Sequence, residues 1–465
     1  MSGVKATASA VELTAALRSK EISSRELLET YLDRIERLDR DGVNAVVTLD
    51  PDRARDAATA ADDALARGDP AGSLHGLPVT IKDAIETEGM RSTGGAVELA
   101  DHVPSADAPA VAQLKSAGAV VFGKTNLPRW CGDAQTRNEL FGTTTNPWSA
   151  AHVPGGSSGG AAAALAAGFT GAELGTDIGG SVRAPAHCCG VFALKPTYGL
   201  VPNLGYLDHV DGGTTRNDLN VFGPMARSAA DLDLLLSVLA GPSPDDAVAW
   251  RVEVPQSTVT SLTGLRIATW FDDEACPIDS EYRVMLRRAA DSLADAGACV
   301  EDGHPNVGFR EQVDLYTQLV AAAVSPSLSD DVAEQISGTH LAWLRRDERR
   351  TALRQRWAEW FEGFDVLLAP ALCIPPFEHN QTTDMTKRVL SVNGELRSAF
   401  EISHWLMIVN ATSHPAVAVP IGRTAAGLPV GTQIIAPYLQ DRRAIRVAQL
   451  VSEVVGGYDV PPGFE

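Results

Sequence analysis

The pattern of apolar and polar positions predicts two helices at the start of this chain. Ser23 and Glu26 have the spacing of a helix capping box. The apolar residues that follow recur on one helical face: Leu27, Leu28, Tyr31, Leu32, Ile35 and Leu38. A second helical pattern, rich in Ala, Asp and Arg, runs from Pro51 to Arg67. The N-terminal segment is therefore predicted to be helical.

From Gly76 the pattern changes to short apolar runs that alternate with helical periodicity. Strands are predicted at 78–81, 119–122, 191–194, 265–269, 365–368, 416–420 and 430–435. Helices are predicted at 108–117, 161–169, 228–239, 281–296 and 441–455, with a charged helical region over 308–360. Strands separated by helices at this spacing predict an α/β fold in which the sheet is largely buried.

Residues 150–200 are dominated by Gly, Ala, Ser and Pro, a composition that is also found in interdomain linkers. The alanine-rich run within them, however, has high helix propensity. No repeat of fixed period and no long polar run marks a domain boundary. We therefore interpret the 465 residues as one domain, although their number alone would suggest about three.

Charge and composition narrow the classes of partner. The formal net charge of −20 opposes binding to a nucleic-acid backbone or an anionic membrane, so a small-molecule substrate is the simpler expectation. No run approaches the roughly 18 apolar residues that would span a bilayer, and the N-terminus lacks the apolar core of a signal peptide. The six cysteines form no C-x-x-C pair and the ten histidines form no metal motif. We expect a cytoplasmic protein with reduced thiols, no metal and no cofactor.

The stretch GAVVFGKT at 118–125 matches the phosphate-binding loop pattern G-x-x-x-x-G-K-[ST]. Such a loop needs free backbone N–H groups and a helix that starts at the lysine. Here the interior residues are strand formers, and Pro128 follows closely after Thr125. Nucleotide binding at this stretch is therefore not predicted.

The stretch PGGSSGG at 154–160 fits the G-x-S-x-G pattern of a hydrolase nucleophile elbow, with Ser157 as the nucleophile. That elbow requires a strand directly before it, but the preceding residues 146–154 contain two prolines and no apolar run. The elbow interpretation stays open with little support.

A second Gly-Gly-Ser element lies in GTDIGGSVRAP at 175–185, where consecutive glycines can turn backbone N–H groups toward one point. Lys82 follows a predicted buried strand. A serine needs a base to become nucleophilic, and a desolvated lysine can be that base because burial lowers its pKa. A second serine could carry the proton between the two groups.

These stretches resemble the amidase signature family of serine hydrolases. The matching segments are GLPVTIKD at 76–83, GKTN at 123–126, NP at 146–147, PGGSSGG at 154–160, GTDIGGSVR at 175–183, CG at 189–190, LKPTYG at 194–199, GPMAR at 223–227, DVLLAP at 365–370 and GLPVGTQII at 427–435. The resemblance covers almost the whole chain. It implies a single amidase-signature domain with a mixed central β-sheet surrounded by α-helices.

The resemblance also implies a Ser-cisSer-Lys triad. Ser181 matches the nucleophile, Ser157 the bridging serine after a cis peptide bond, and Lys82 the general base. The backbone N–H groups of four residues would form the oxyanion hole: Ile178, Gly179, Gly180 and Ser181. We assign supporting roles around the triad to Ser158, Asp177, Arg183 and Asp83. Asp83 is not expected to contact Lys82, since adjacent strand residues point to opposite faces.

We expect three segments within the single domain 1–465: N-terminal helices over 1–69, the signature core with the triad over 70–230, and a region over 231–465 that completes the sheet and shapes the substrate pocket. The segment RWCG at 129–132 differs from the residue types common at this place in the family. The substrate class of a relative therefore cannot be assigned to this chain. Residues that could line an apolar acyl pocket are Trp130, Cys131, Tyr206 and Tyr316, with the loop 206–215 and the stretch 404–408.

The expected activity is hydrolysis of linear amides by a stand-alone enzyme, with aryl esters and carbamates (urethanes) as further substrates. The alternative is the glutaminase subunit of a tRNA-dependent amidotransferase, which would act with a partner subunit. A non-catalytic binding protein on the same fold is a third hypothesis, and the joint presence of Lys82, Ser157 and Ser181 argues against it. A homodimer is left open.

Overall fold

The computed structural model describes residues 3–465, apart from the side chain of Asp41. The strands are β1 Val46–Leu49, β2 Pro78–Lys82, β3 Val120–Thr125, β4 Arg137–Asn138, β5 Gly142–Thr143, β6 Glu173–Asp177, β7 Phe192–Lys195, β8 Val221–Ala226, β9 Arg266–Thr269, β10 Cys299–Asp302, β11 Val366–Pro370, β12 Val389–Val392, β13 Glu395–Ser398, β14 Ala416–Arg423 and β15 Pro429–Ile435. The α-helices are α1 Ala10–Arg18, α2 Ser24–Arg34, α3 Pro51–Arg67, α4 Pro109–Ser116, α5 Gly159–Ala166, α6 Arg183–Cys189, α7 Ala229–Leu239, α8 Ser280–Asp295, α9 Phe309–Ala323, α10 Asp330–Ser337, α11 His340–Trp360, α12 His404–Thr412 and α13 Asp441–Val455.

One large sheet runs through the molecule. Within the described residues its eleven strands have the order β1-β3-β2-β6-β8-β7-β14-β15-β11-β9-β10. Strand β2 is parallel to β3 and β6, and β9 is parallel to β10 and β11, whereas the other pairs are antiparallel. The predicted mixed sheet in a single α/β domain is confirmed.

The N-terminal helices begin where their caps predict. Ser23 accepts a hydrogen bond from the backbone N–H of Glu26, and the Glu26 side chain binds back to Ser23. Helix α3 starts with Pro51 in its first turn and ends at Gly68, whose φ of 80° stops the helix. Both predicted helices are confirmed.

The Gly/Ala-rich stretch is a buried helix and not a linker. Every residue of α5 is buried. A Cβ atom on Gly160 would lie 2.4 Å from the backbone nitrogen of Asn126, and one on Gly159 would lie 2.2 Å from the Thr136 hydroxyl. The small residues are therefore needed because the helix packs directly against neighbouring backbone.

Several strands were not predicted, for two physical reasons. Strands β1 and β10 are short and partly exposed at the edges of the sheet, and β10 also carries a weak apolar signal. Strand β8 is buried but contains Gly223 and Pro224, which count against a strand in sequence. Gly223 is required there, since its Cβ would lie 2.4 Å from the Leu194 carbonyl oxygen.

The helical region predicted over 308–360 is divided into α9, α10 and α11. Pro326 and Gly338, which has a φ of 71°, lie at the two breaks. Most of the stretch at 118–125 forms strand β3. Its Lys124 is buried and donates hydrogen bonds to the carbonyl oxygen of Ile85 and to the Thr87 hydroxyl. This lysine is not available to a phosphate group.

Candidate active site

Lys82 is the last residue of β2, and its ammonium group is fully buried. Its Nζ donates hydrogen bonds to Ser157 Oγ at 2.6 Å and to Thr176 Oγ1 at 2.8 Å. Burial lowers the pKa of Lys82, while Cys131 and Asp177 act in the opposite direction. Because its pKa is lowered, Lys82 becomes a neutral amine at a pH closer to neutrality, and the neutral amine can accept a proton.

Ser157 lies in the loop that precedes α5, and the peptide bond between Gly156 and Ser157 is cis. The segment 133–135 packs directly against this loop. A Cβ atom on Gly156 would lie 2.4 Å from the Asp133 carbonyl oxygen and 2.6 Å from the Ala134 carbonyl carbon. The glycine is therefore needed for the loop to lie against the segment that supports it.

Ser181 lies between β6 and α6 and lines a mostly apolar cavity, together with Gly156 and Gly179. Its carbonyl oxygen accepts a hydrogen bond from the backbone N–H of Ser158 at 3.0 Å, so the two Gly-Gly-Ser loops are joined. Ser181 is 8% exposed, whereas Ser157 is fully buried and does not line the cavity. Of these two serines, only Ser181 lines the cavity.

The two glycines before Ser181 are imposed by packing. A Cβ atom on Gly179 would lie 2.4 Å from the Tyr316 hydroxyl, which itself donates to the Ile178 carbonyl oxygen at 3.1 Å. Gly180 has a φ of 116°, and its Cβ would lie 2.3 Å from Leu406 Cδ1. Helices α9 and α12 therefore hold the backbone of this loop in place.

The predicted oxyanion-hole donors differ in availability. Among residues 3–465, no protein acceptor bonds to the N–H groups of Ile178, Gly179 and Ser181. Gly180 instead donates its N–H to Asp177 Oδ1 at 2.8 Å. The prediction for Gly180 needs correction in this respect, because its donor is already used within the loop.

A buried ion pair supports the Ser181 loop. Arg183 Nε and Nη2 donate to the two carboxylate oxygens of Asp177, each at 3.0 Å, and Asn410 Nδ2 donates to Asp177 Oδ1 at 3.0 Å. Burial alone would raise the pKa of Asp177, but the Arg183 guanidinium holds it well below the usual value. Arg183 also donates to Gln433 Oε1 at 2.8 Å, so this pair joins the loop to β15.

The other two predicted supporting residues have separate surroundings. Ser158 Oγ donates to the Thr176 carbonyl oxygen at 3.3 Å, which connects the serine loop to β6. Asp83 points away from Lys82 and accepts hydrogen bonds from the hydroxyl and the N–H of Thr93. Burial raises the pKa of Asp83 to about 6. As expected, Asp83 is not a direct partner of Lys82.

The fold and these loops find clear counterparts among known proteins. The family model described as Amidase matches residues 26–342 and 331–445. The chain belongs to the amidase family. The amidase signature resemblance seen in the motifs is thereby confirmed, and the protein is an amidase-family enzyme, which places it among hydrolases of carbon–nitrogen bonds.

Similar proteins include amidases and a component of an amidotransferase. A glutamyl-tRNA(Gln) amidotransferase subunit from Chromohalobacter salexigens is 34% identical over 97% of this chain and 98% of its own. A bacterial aryl acylamidase of the amidase signature family has a TM-score of 0.85 at 27% identity, with 98% of both chains covered. The structure of 6-aminohexanoate cyclic dimer hydrolase has a TM-score of 0.84 at 26% identity, with 99% of both chains covered.

The amidase cavity encloses about 580 Å³ above Ser181. The four predicted pocket residues all line it: Trp130, Cys131, Tyr206 and Tyr316. Of the stretch 404–408 only Met407 lines the cavity, whereas Trp405 is buried beside Trp270 and Phe309. No cluster of His, Cys, Asp and Glu with the arrangement of a metal site occurs within residues 3–465.

Sequence reasoning did not single out three residues of this amidase site. Thr176 is the second hydroxyl partner of Lys82, and a threonine in a strand has no spacing that marks it. Asp133 and Arg388 form an ion pair of 2.6 Å in the cavity wall, although they are 255 positions apart. Only the folded chain brings these two residues together.

Over the described part of the chain, no helix is long and apolar enough to cross a membrane.

Proposed function

We propose that this chain hydrolyses a carboxylic amide through an acyl-enzyme on Ser181, with Ser157 as the proton bridge and Lys82 as the base. The observation that carries the proposal is the arrangement of the two serines. Ser157 Oγ is buried and hydrogen-bonded to Lys82 Nζ at 2.6 Å, while Ser181 faces the cavity. A base, a bridge and an accessible nucleophile are the groups that such catalysis needs.

In the first half of the reaction, neutral Lys82 takes a proton from Ser157, which takes one from Ser181. The Ser181 oxygen forms a bond to the amide carbon, and the negative charge that develops on the carbonyl oxygen is stabilised by the free N–H groups of Ile178, Gly179 and Ser181. Each such donor contributes roughly 3 kcal/mol in comparable hydrolases. The C–N bond then breaks, and the departing amine receives the proton through Ser157.

In the second half, water attacks the acyl-enzyme and loses a proton through the same relay to Lys82. The bond between the acyl carbon and Ser181 breaks, which releases the carboxylic acid and restores the serine. The same steps cleave aryl esters and carbamates, since these also present a carbonyl carbon bonded to a heteroatom leaving group.

The amide that is cleaved has two candidates. The curated relatives support the second candidate, the glutaminase subunit of an amidotransferase with glutamine as the amide, more strongly than a stand-alone amidase, because full-length relatives at 32% to 35% identity are named as amidotransferase subunits. This candidate includes partner subunits. The cavity favours the stand-alone amidase, since its wall consists mostly of apolar side chains such as Val320, Phe377 and Met407.

The roles of the two serines are tested by labelling with a fluorophosphonate probe. Ser181→Ala should abolish labelling, whereas Ser157→Ala should only slow it, because the nucleophile remains and only the bridge is lost. Cys299→Ala, which changes an exposed residue outside the cavity, serves as the control and should label as the native protein does. Labelling of Ser181→Ala together with none of Ser157→Ala would support the nucleophile-elbow hypothesis instead.

The two substrate candidates are separated by a hydrolysis screen of the purified protein on p-nitroanilides, simple amides, aryl esters and aryl carbamates. A stand-alone amidase should hydrolyse members of this set without any added protein. Glutamine hydrolysis that appears only with a co-purified partner would establish the glutaminase-subunit candidate.

A further inference from the structure

Every charged side chain that lines the cavity already has a partner. Four such side chains lie in the wall: Arg129, Asp133, Asp208 and Arg388. Arg129 pairs with Glu98 at 2.6 Å, and Asp208 is hydrogen-bonded to His209 at 2.6 Å. Asp133 and Arg388 pair with each other at 2.6 Å. Each charged side chain of the wall therefore already has a polar partner, and the Asp133–Arg388 pair is more buried than the half-exposed Arg129–Glu98 pair.

The pair of Asp133 and Arg388 joins two segments of the cavity wall that are far apart in sequence. Asp133 belongs to the segment that packs on Gly156, and Arg388 immediately precedes β12. Arg388 Nε donates to the Thr382 carbonyl oxygen at 2.7 Å, which fixes the guanidinium. The two side chains are 19% and 11% exposed, so the pair is largely removed from water.

A second contact runs alongside this pair. Gln135 Nε2 donates to the Asn380 carbonyl oxygen at 3.2 Å, and the Asn380 N–H donates to Gln135 Oε1 at 2.8 Å. The Asp133 carboxylate is thus held on a segment whose backbone and neighbouring side chain are both bound in place. A substrate that binds either charge would therefore compete with a partner that is already in place.

A charged substrate group would meet an energetic obstacle here. A carboxylate that binds Arg388 would compete with Asp133 for the same guanidinium, and an ammonium that binds Asp133 would compete with Arg388. Such competition weakens a largely buried ion pair, which is unfavourable. An uncharged apolar group meets no such obstacle, because it fills the cavity without disturbing the pair.

We infer that the cavity accepts uncharged amides that carry an apolar group, and that the Asp133–Arg388 pair determines this selectivity. The inference rests on the proposed amide hydrolysis at Ser181 and on its stand-alone candidate, since glutamine carries an ammonium and a carboxylate. It adds the class of substrate and names two specificity-determining residues that take no part in the bond-breaking steps.

The test compares three p-nitroanilides whose acyl groups have four carbons and differ in charge: butyryl (neutral), succinyl (anionic) and 4-aminobutyryl (cationic). The native enzyme should have the highest kcat/KM on the butyryl substrate. Asp133→Asn leaves Arg388 without its anion and should raise the ratio of succinyl to butyryl activity by about tenfold. Arg388→Gln should raise the ratio of 4-aminobutyryl to butyryl activity instead.

Opposite shifts in the two variants distinguish selectivity from general damage to the fold. Asp272→Asn, which breaks the exposed pair with Arg283 outside the cavity, is the matched control and should leave all three activities unchanged. The inference is overturned if the native enzyme prefers a charged substrate, or if both variants lower the three activities by the same factor.

Fluorophosphonate labelling separates this inference from the proposed function. If Ser181 is labelled but none of the three anilides is hydrolysed, the inference about the cavity is wrong while the nucleophile stands. If Ser181 is not labelled and no substrate of the wider screen is hydrolysed, the proposed function itself is wrong.

Discussion

A lysine without contact to solvent must lose its proton or find acceptors, and Lys82 has two hydroxyl oxygens as its hydrogen-bond partners in place of a carboxylate. Ser157 and Thr176 accept its hydrogen bonds at 2.6 and 2.8 Å. Hydroxyl groups stabilise an ammonium ion less than a carboxylate does. Deprotonation of Lys82 to the neutral amine therefore costs less free energy in this environment than it would beside a carboxylate. The same contact delivers the proton of Ser157 to the amine, which is the function proposed for the pair.

The lowered pKa of Lys82 predicts a specific pH dependence. Because the base must be neutral, kcat/KM should rise with pH and level off above the pKa of Lys82, at a pH below its ordinary value of 10.5. Lys82→Ala should lower kcat/KM by about 10²- to 10⁴-fold and remove this rise. The measurement is kcat/KM on one anilide from pH 5 to 10, with Lys5→Ala, which changes a lysine outside the cavity, as the control. A plateau that persists in Lys82→Ala would show that another group is the base.

At the residue scale, the sequence indicates which kinds of side chain the site needs, but not which of them come into contact. Lys82 and Ser157 are 75 positions apart, and no local rule places the lysine amine against that serine. Their assignment came from the resemblance of the motifs, whereas residue-level reasoning supplied only the need for a desolvated base. Asp133 and Arg388 carry no motif and are joined only by tertiary structure.

At the scale of one element, strand β6 combines structural and chemical demands. It begins at Glu173, a buried carboxyl group that lies beside the hydroxyl groups of Thr80 and Thr125. It ends at Asp177, which is fully paired with Arg183. Burial raises the pKa of Glu173 to about 7, because the charged form loses its hydration. The strand thus contains one carboxyl group that favours its neutral form and one that favours its charged form.

Glu173 predicts a loss of stability as the pH rises. Its pKa is raised on folding from an ordinary 4.5 to about 7, so the native state holds the proton more tightly and stability falls between these two values. The difference corresponds to about 3 kcal/mol. Glu173→Gln, which is neutral at every pH, should therefore be more stable than the native protein at pH 8 and similar at pH 4.

The measurement for Glu173→Gln is urea unfolding at both pH values. Glu334→Gln, which changes an exposed residue of α10, is the control and should have little effect at either pH. Equal differences between Glu173→Gln and the native protein at pH 4 and pH 8 would contradict the raised pKa of this carboxyl group.

The elements themselves were largely predictable where apolar periodicity is strong. Helices α2 and α13 and the antiparallel pair of β14 and β15 agree with the sequence pattern. Strand β8 was missed because the close approach of β7 requires glycine where a strand residue would be expected. The hairpin of β12 and β13 was missed although Val389, Leu390 and Val392 precede Asn393-Gly394, a dipeptide typical of two-residue hairpin turns.

At the scale of the whole molecule, the two ends of the chain build one sheet. Strands β14 and β15, from the last fifty residues, lie between β7 and β11 in its middle. The order of strands could not be predicted, since apolar runs identify strands but not their neighbours. This topology explains why the Ser181 loop near the middle of the chain is held by α12 and β15 from its C-terminal part.

Arg183 is the residue that connects these distant parts, and its removal tests how strongly the molecule depends on that connection. The fully buried guanidinium donates to Asp177, Asn410 and Gln433, the last of which is 250 positions away. Arg183→Met keeps the length of the side chain but leaves Asp177 as a buried charge without a cation. Losing one partner of a buried pair costs about 3 to 5 kcal/mol.

We therefore expect the free energy of unfolding of Arg183→Met, measured in urea, to fall by that amount, with the midpoint moving to lower urea concentration. Arg37→Met removes an exposed arginine that pairs with Asp33 one helical turn away, and it should change the free energy of unfolding by less than about 1 kcal/mol. An Arg183→Met protein as stable as the native one would mean that the contacts of α12 and β15 with the Ser181 loop are held by apolar packing and not by the ion pair. If only Arg183→Met lowers the free energy of unfolding, the contacts of the guanidinium stabilise both the sheet and the Ser181 loop.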